Sequence, residues 1–539
     1  MKQYKLIQVA LLAILLFGWA GCSQNEEEVP GNARNGIVLN VTDTGLISNE
    51  PSTRTEDTGF VTTFTQGDQI GLFAVKDGAI LDEINNMPFT FNGSSWSGKP
   101  ILYDERLAGV TFYAYYPYQP DMSGKTDLAG DDFFAPLVAG WELTTEQSDQ
   151  KAYAKQDLMT SNATALIGEN GNYTLSFQLT HRMSLVVVKL PSTRYIFTDA
   201  EGVAMPEETP YVAMPVDVAF YLDNVGEGNK IAPYYDAKQD EYRLLRKPSS
   251  ENQIIGHYNE KQCTLDTAEK MKEGKYKRFV VDGGYKEVTH YLQVGDLYYA
   301  DGSLISKDAK EADIESDRCI GVVCWVGNPQ PSVLYAAEKD GYTSAQDVLS
   351  REHSNCVNGL VVSLNTVNDK FVNGTAAEMR IWYRKNFTDA ANFIDLSGNF
   401  YDGSKTTSTT VAERDRILGY NNTRVIEAYN DANSSDLQVL QVLDAYRKTV
   451  VAPAISTNWF LPSVQELRNM QDKNGLLTTL NNQIAKVQGA SIEIGTQYWS
   501  STERNASNMY YVSYTATSSS VNTGGKKVDA RAYRFVLAF

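Results

Sequence analysis

The sequence is poor in the residues that most chemistry needs. Four histidines are scattered through 539 residues, and there are five cysteines. Bases number 48 against 66 acids, a formal net charge of −18. That balance argues against a nucleic-acid partner, whose binding needs a basic face. It fits a soluble surface kept from self-association by charge. Amphipathic helical runs are few. After the first twenty or so residues no apolar run approaches the roughly 20 residues of a membrane span.

The same scarcity weakens the catalytic candidates. His181 sits among apolar residues, the usual setting of a packed histidine with satisfied nitrogens, and no serine or cysteine partner is visible near it. His353 and Cys356 are three apart, which on a strand places them on opposite faces. No orienting carboxylate is placed beside them. Cys319 and Cys324 lie in the apolar run Cys319-Ile-Gly-Val-Val-Cys324-Trp-Val, which reads as a strand. Five apart, they too face opposite ways and cannot share one metal without a bend. Their setting is too apolar for reactive thiolates. Cys263, Cys319, Cys324 and Cys356 are read as core thiols or as members of longer-range disulfides, with three pairings open. No metal, cofactor or catalytic residue is expected.

What is present begins at the amino end. Lys2 and Lys5 precede the apolar stretch Leu6–Trp19, and then come Ala20, Gly21 and Cys22. This is the anatomy of a signal peptide over residues 1–21. Small residues before a cysteine at that point resemble a bacterial lipobox, which makes Cys22 the expected lipid attachment site, a palmitate-type anchor. The competing reading is an ordinary secretory signal with a chance cysteine. The run Ser23-Gln-Asn-Glu-Glu-Glu28 opens an acidic linker over 22–35. It is similar to the acidic signal that sends Bacteroidetes lipoproteins to the outer face of the outer membrane.

The body reads as β-structure. Tyr is abundant at 32, and Gly numbers 39. Alternating β-branched and aromatic segments recur between Gly, Asn and Asp turns, the pattern of β-sandwich material. Asn35–Val41 is expected to be a strand, with Ile37, Leu39 and Val41 on one face. Residues 42–62 are polar and turn-rich. Further strands are expected at Gly71–Val75, Phe89–Phe91 with an Asn92-Gly93 turn, Val110–Tyr116, Tyr173–Leu179, Met183–Leu190, Asp217–Tyr221 and Tyr276–Val281.

Four segments carry a family likeness: Phe64-Thr-Gln-Gly-Asp-Gln-Ile-Gly-Leu-Phe73, Phe89-Thr-Phe-Asn-Gly-Ser-Ser-Trp96, Phe112-Tyr-Ala-Tyr-Tyr-Pro-Tyr118 and Leu175-Ser-Phe-Gln-Leu-Thr-His-Arg-Met-Ser-Leu-Val186. In this order they resemble the fimbrillin-like (Mfa-like) proteins of Bacteroidetes. The resemblance implies a transthyretin-like β-sandwich over 36–195 and a second β domain over 196–290. From Val294 to Ser303 the character changes. That segment, Cys319–Val323, Cys356–Ser363, Asn458-Trp-Phe-Leu-Pro-Ser-Val-Gln-Glu-Leu467, Tyr498-Trp-Ser-Ser-Thr502 and Arg534–Phe539 together resemble a lectin-like domain of Bacteroidetes surface lipoproteins, sometimes labelled a major paralogous domain. An α+β, C-type-lectin-like domain over 291–539, a small sheet with two helices, is therefore expected. Ser463 and Glu466 form a capping box, with Val464, Leu467 and Met470 on one face and Gly475 as the stop. A second helix is expected over Asp436–Lys448, capped by Ser434 or Ser435, with a stripe of Leu437, Leu440 and Leu443. The fold class is mainly β.

The resemblance also implies a mechanism. In fimbrillin-like proteins an arginine-specific protease removes the first strand after export, and a strand of the next subunit takes its place. Here Arg54, before Thr55, stands in a loop with Pro51 and Ser52, where cleavage is easy. The strand carrying Ile37, Leu39 and Val41 would leave, exposing an edge for strand addition. Arg34 is the runner-up, but a cut there keeps the strand. Tyr533–Phe539 read as part of the lectin-like core, so the chain is expected to receive a strand without passing one on, as a tip adhesin would. Its partners would then be other fimbrial subunits and a glycan or protein ligand. The rivals are an uncleaved glycan-binding lipoprotein and, less favoured, an enzyme on the lectin-like fold. Gln119-Pro120-Asp121 spells a calcium-lectin signature in the wrong domain. Loops at Asn421-Asn422 and Asn430–Asp436 could hold a hard cation but read as plain turns. Tyr498, Trp499, Tyr510, Tyr511, Tyr514 and Tyr533 could line a groove, although some must be core.

Overall fold

The computed structural model describes residues 36–49, 60–169, 172–206, 210–266, 271–336, 344, 347–373, 379, 382, 416–435, 437–472 and 474–539. Cys22, Arg34, Arg54, Thr55 and Asp436 lie outside the described residues. Strand outweighs helix, 37% to 19%, which makes the chain mainly β. Two compact units divide it. The first reaches to Val186 and takes in Leu244–Glu251 and a stretch ending at Lys277; the second takes the rest.

The first unit is built on one large sheet. Its strands are β1 (Ile37–Asp43), β2 (Gln69–Lys76), β3 (Met87–Phe91), β4 (Trp96–Gly98), β5 (Thr111–Tyr116), β6 (Met159–Ser161) and β7 (Asn172–His181). They run in the order β1-β7-β6-β5-β2-β3-β4, with three short strands paired beside this path. All neighbours on the path are antiparallel except β1 and β7, which are parallel. One face packs a core of Leu39, Ile70, Leu72, Ala74, Phe89, Phe112, Ala114, Met159, Leu175, Phe177 and Leu179. Each strand contributes alternate residues to it, as a pleat requires. Phe73, Tyr113, Tyr115, Phe133 and Phe134 form an aromatic cluster of their own.

The second unit holds a large core whose buried apolar residues run from Tyr195 to Phe539. One five-stranded sheet uses β8 (Leu297–Tyr299), β9 (Leu304–Ile305), β10 (Cys319–Val326) and β11 (Gly359–Ser363). Another uses β12 (Val367–Asp369), β13 (Gln497–Asn505), β14 (Asn508–Tyr514), β15 (Ser519–Gly525) and β16 (Arg531–Tyr533). The segment then closes with β17 (Val536–Ala538). The orders are β9-β8-β10-β11-β17 and β12-β16-β13-β14-β15.

Four helices of this unit carry more of the core than a two-helix plan allows: α1 (Gly419–Asn433), α2 (Gln438–Thr449), α3 (Val464–Arg468) and α4 (Leu476–Lys486). The stripe Leu437, Leu440 and Leu443 is buried as expected, and so are Val464, Leu467 and Met470. The caps differ. Ser434, at φ 47°, ends α1 and does not start α2, whose N-cap is Leu437. Gly475, at φ 84°, opens α4 and does not end α3. The capping box at Ser463 and Glu466 is complete in both directions.

Candidate functional site

The site begins with a strand at the end of a sheet. Ile37, Val38, Val41 and Thr42 are β-branched and favour extended backbone. Ile37, Leu39 and Val41 turn towards the core, and Leu39 is buried in it; Val38, between them, is 57% exposed. Their partners on β7 lie in register, Ile37 with Tyr173, Leu39 with Leu175, Val41 with Phe177 and Asp43 with Leu179. Burying a side chain such as Leu39 stabilises by about 1.5–3 kcal/mol. The Ile37 amide donates to the Ile101 carbonyl (3.0 Å) and the Thr44 amide to the Leu179 carbonyl (3.0 Å).

The strand stops at Asp43. Its carboxylate accepts from the Gly45 amide (2.8 Å), and Gly45 stands at φ 70°, so the chain turns there. The Leu46 amide then donates to the Phe60 carbonyl (2.9 Å), and the Asn49 amide to that of Tyr276 (2.7 Å). Phe60 packs edge-on against Tyr276. The two flanks of residues 50–59 are thus both pinned to the first unit.

Asp43 does more than end the strand. Its Oδ2 lies 3.0 Å from His181 Nε2 and accepts from the Thr62 amide at 2.5 Å. On the other side of the ring, His181 Nδ1 meets Asp157 at 3.0 Å. The ring is buried, with 1% exposure. Burial alone would lower its pKa, but the charges and hydrogen bonds of Asp157 and Asp43 outweigh this and raise it to about 10. Burial would raise Asp43, but the His181 contact and the Thr62 and Gly45 amides hold it below the ordinary carboxylate value. Both ring nitrogens face carboxyl oxygens, an arrangement that a protonated ring satisfies by donating from each. His181 is therefore the satisfied core histidine that its setting suggests. Its partners, 138 and 24 residues away, carry no local signal in the sequence.

The other candidates disperse. Cys319, Cys324 and Cys356 are buried free thiols, and Cys263 is free and half-buried. Burial pushes Cys319 and Cys356 up to about 12 and raises Cys324 also. Of the two readings left open, the four are thus thiols without bridges. Cys319 and Cys324 share β10, whose pairing with β11 shifts register between Val323 and Trp325. His353 and Cys356 do not lie on a strand: His353 ends a short helix, Val348–Glu352, and Cys356 follows in a turn. The His353 ring lies against Tyr420, and the Cys356 thiol faces the Ile455 carbonyl. Asn421 and Asn422 are not in a loop but buried in the first turn of α1, and Asn430–Asn433 form its last turn. Among the described residues no group of three or more acidic, His or Cys side chains converges as a metal site would. Gln119–Asp121 lie in a loop whose Gln119 backbone is braced by the Tyr115 hydroxyl. Of the six aromatics, Tyr498, Trp499, Tyr514 and Tyr533 are core, whereas Tyr510 and Tyr511 are half-buried. Arg531 stacks on Trp499 and Tyr511.

The segment Tyr533–Phe539 is built into the second unit. β17 pairs with β11 on one side. On the other, Phe460 and Val536 exchange hydrogen bonds at 2.8 and 3.0 Å, and the Thr457 amide donates to the Ala538 carbonyl at 2.8 Å. Phe539 is fully buried against Tyr211 and Tyr298.

With this architecture in view, sequence comparison defines the class. Residues 53–215 match the profile of the fimbrillin-like family. The chain is 70% identical, over the whole of both proteins, to one from Bacteroides ovatus ATCC 8483 that is named, provisionally, as fimbrium tip subunit Fim1C. A crystal structure of a fimbrial protein from Bacteroides ovatus ATCC 8483 superposes with a TM-score of 0.82 at 66% identity, covering 94% of this chain and 100% of that one. The chain belongs to the fimbrillin-like family of fimbrial proteins.

Proposed function

We propose that this chain is a cell-surface fimbrial subunit that receives a strand from a neighbour and occupies the tip. On this reading it is exported as a lipoprotein anchored at Cys22, cut after Arg54 to start at Thr55, and freed of β1. The observation that carries the reading is the placement of β1. It ends its sheet, pairs along its length with β7, turns three alternate side chains towards the core and precedes the cut. A groove so vacated has an unpaired edge for main-chain hydrogen bonds and pockets to set register.

The tip position is supported by the other end of the chain. Tyr533–Phe539 are buried in the core of the second unit, so they cannot be lent to a neighbour without opening that core. The relative named for a fimbrium tip agrees with this. The surface location follows from the same reading, with other fimbrial subunits as partners and the outer membrane as the anchor of the precursor. The alternative, an uncleaved glycan-binding lipoprotein, finds its best support in a cavity of about 430 Å³ in the second unit, lined by Tyr195, Phe197, Met205, Tyr211 and Asn328.

The test is the amino terminus of the protein recovered from intact cells, read by mass spectrometry. A start at Thr55 is the expected result. A lipidated start at Cys22 with Arg54 uncut would replace the fimbrial assembly reading with the anchored one.

A further inference from the structure

The exchange proposed above has an electrostatic requirement of its own. Asp43 lies before Arg54, so it leaves with β1. His181 and Thr62 lie after Arg54, so they stay. Both donate to the Asp43 carboxylate, His181 Nε2 at 3.0 Å from either oxygen and the Thr62 amide at 2.5 Å from Oδ2. Removing β1 thus leaves two donors aimed at one empty point. One belongs to a ring that is 1% exposed, and its remaining partner is the single carboxylate of Asp157. A buried donor without an acceptor costs the full desolvation of that group, and more when the group is charged.

We infer that the groove selects its occupant by charge as well as by shape: the strand that replaces β1 carries a carboxylate in the place of Asp43, four residues beyond the side chain that fills the place of Leu39. The inference rests on the strand-exchange reading. Apolar residues at the places of Ile37, Leu39 and Val41 fill the pockets, but they are tolerant of which apolar residue is used, and two of the three pockets stay filled after a slip of two residues. Such a slip moves every side chain by about 6.6 Å. The acid would then miss His181 and Thr62. The carboxylate is therefore the feature that fixes both the partner and its register.

The experiment uses the intact chain cut by an arginine-specific protease, with the new start at Thr55 verified by mass. Fluorescent peptides spanning residues 36–48 are then offered to it: the parent sequence, the same with Asp43→Asn, and the same with Leu39→Ala. The parent peptide is expected to bind, and the Asp43→Asn peptide to bind roughly tenfold or more weakly at pH 7, because an amide leaves the imidazolium without its second charge. In a His181→Gln chain the two peptides are expected to bind within about twofold of each other. Equal binding of the parent and Asn peptides to the unaltered chain would overturn the charge selection and leave strand exchange standing. If the parent peptide itself does not bind the cut chain, strand exchange falls and this inference falls with it. The peptide variants leave the protein unchanged, so neither outcome depends on whether the His181→Gln chain folds.

Discussion

Two terminal strands of two sheets make an instructive contrast. β1 and β17 each close the order of their sheet, and each is short and apolar. β1 alternates, with Val38 and Asn40 exposed between the inward-facing Ile37, Leu39 and Val41, of which Leu39 is buried. In β17 and the residue after it, Val536, Leu537, Ala538 and Phe539 are all fully buried. β1 pairs along its length with β7 and carries a bridge at its start on the other side, Gly36 to Leu102, whereas β17 is held along its length between β11 and the segment Thr457–Phe460. β1 is fastened at its far end by a charge cluster. β17 is fastened by the packing of fully buried side chains. The difference teaches that a strand's place at the end of a sheet does not make it exchangeable. What matters is whether the groove left behind can be refilled from solution.

The largest way to break this contrast is at Phe539. Phe539→Ala removes a fully buried ring and is expected to destabilise the second unit by about 3–5 kcal/mol. Urea unfolding followed by tryptophan fluorescence reads it, with the first unit's proteolytic resistance unchanged. A loss below about 1 kcal/mol would mean that β17 is as replaceable as β1. Next comes Leu39→Ala, expected to cost the first unit about 2–3 kcal/mol, while Val38→Ala stays within about 0.5 kcal/mol. Equal losses at the two positions would contradict the alternation that the groove depends on.

The smallest expected effect is one of pH, and it separates the units. His181 is raised from its ordinary value of about 6.5 to about 10, so its contribution is complete below pH 6.5 and is lost between 6.5 and 10. Glu466, in the capping box of α3, is raised by burial to about 7, although the Ser463 and Gly419 amides and the Ser463 hydroxyl oppose the shift. The fold holds that proton more tightly than the unfolded chain does, so this contribution is complete below about 4.5 and is lost as pH rises to 7. Hydrogen-exchange protection, corrected for intrinsic rates, is expected to fall in α3 between pH 5 and 7 and in β1 and β7 between pH 7 and 10. The opposite order would refute both assignments.

Much of β1 was legible in the sequence, because a period of two is a local signal. Asn35–Val41 was expected and Ile37–Asp43 found, with the same three residues inward. The mainly-β class and the stripe of α2 were legible for the same reason. α1 was not, because Gly419-Tyr-Asn-Asn-Thr and Asn430-Asp-Ala-Asn433 look like turns, and buried contacts overrode that propensity. α4 was missed because a glycine at positive φ serves either end of a helix, and Gly475 was read as a stop. The Asp43–His181–Asp157 cluster was out of reach, since it joins three segments that no spacing rule connects. Arg54 and Cys22 remain readings of the sequence.

The parallel pairing of β1 with β7 has a mechanical meaning. Hydrogen bonds between the two strands lie across the strand axis, along Ile37–Asp43. A pull along that axis strains the whole row at once, so the seam behaves as a glued lap joint. A pull away from the sheet at one end strains one pair at a time, so the same seam peels like tape. A strand seated in this groove would therefore hold under tension along a fibre, yet could still be entered or vacated from one end without breaking every bond together.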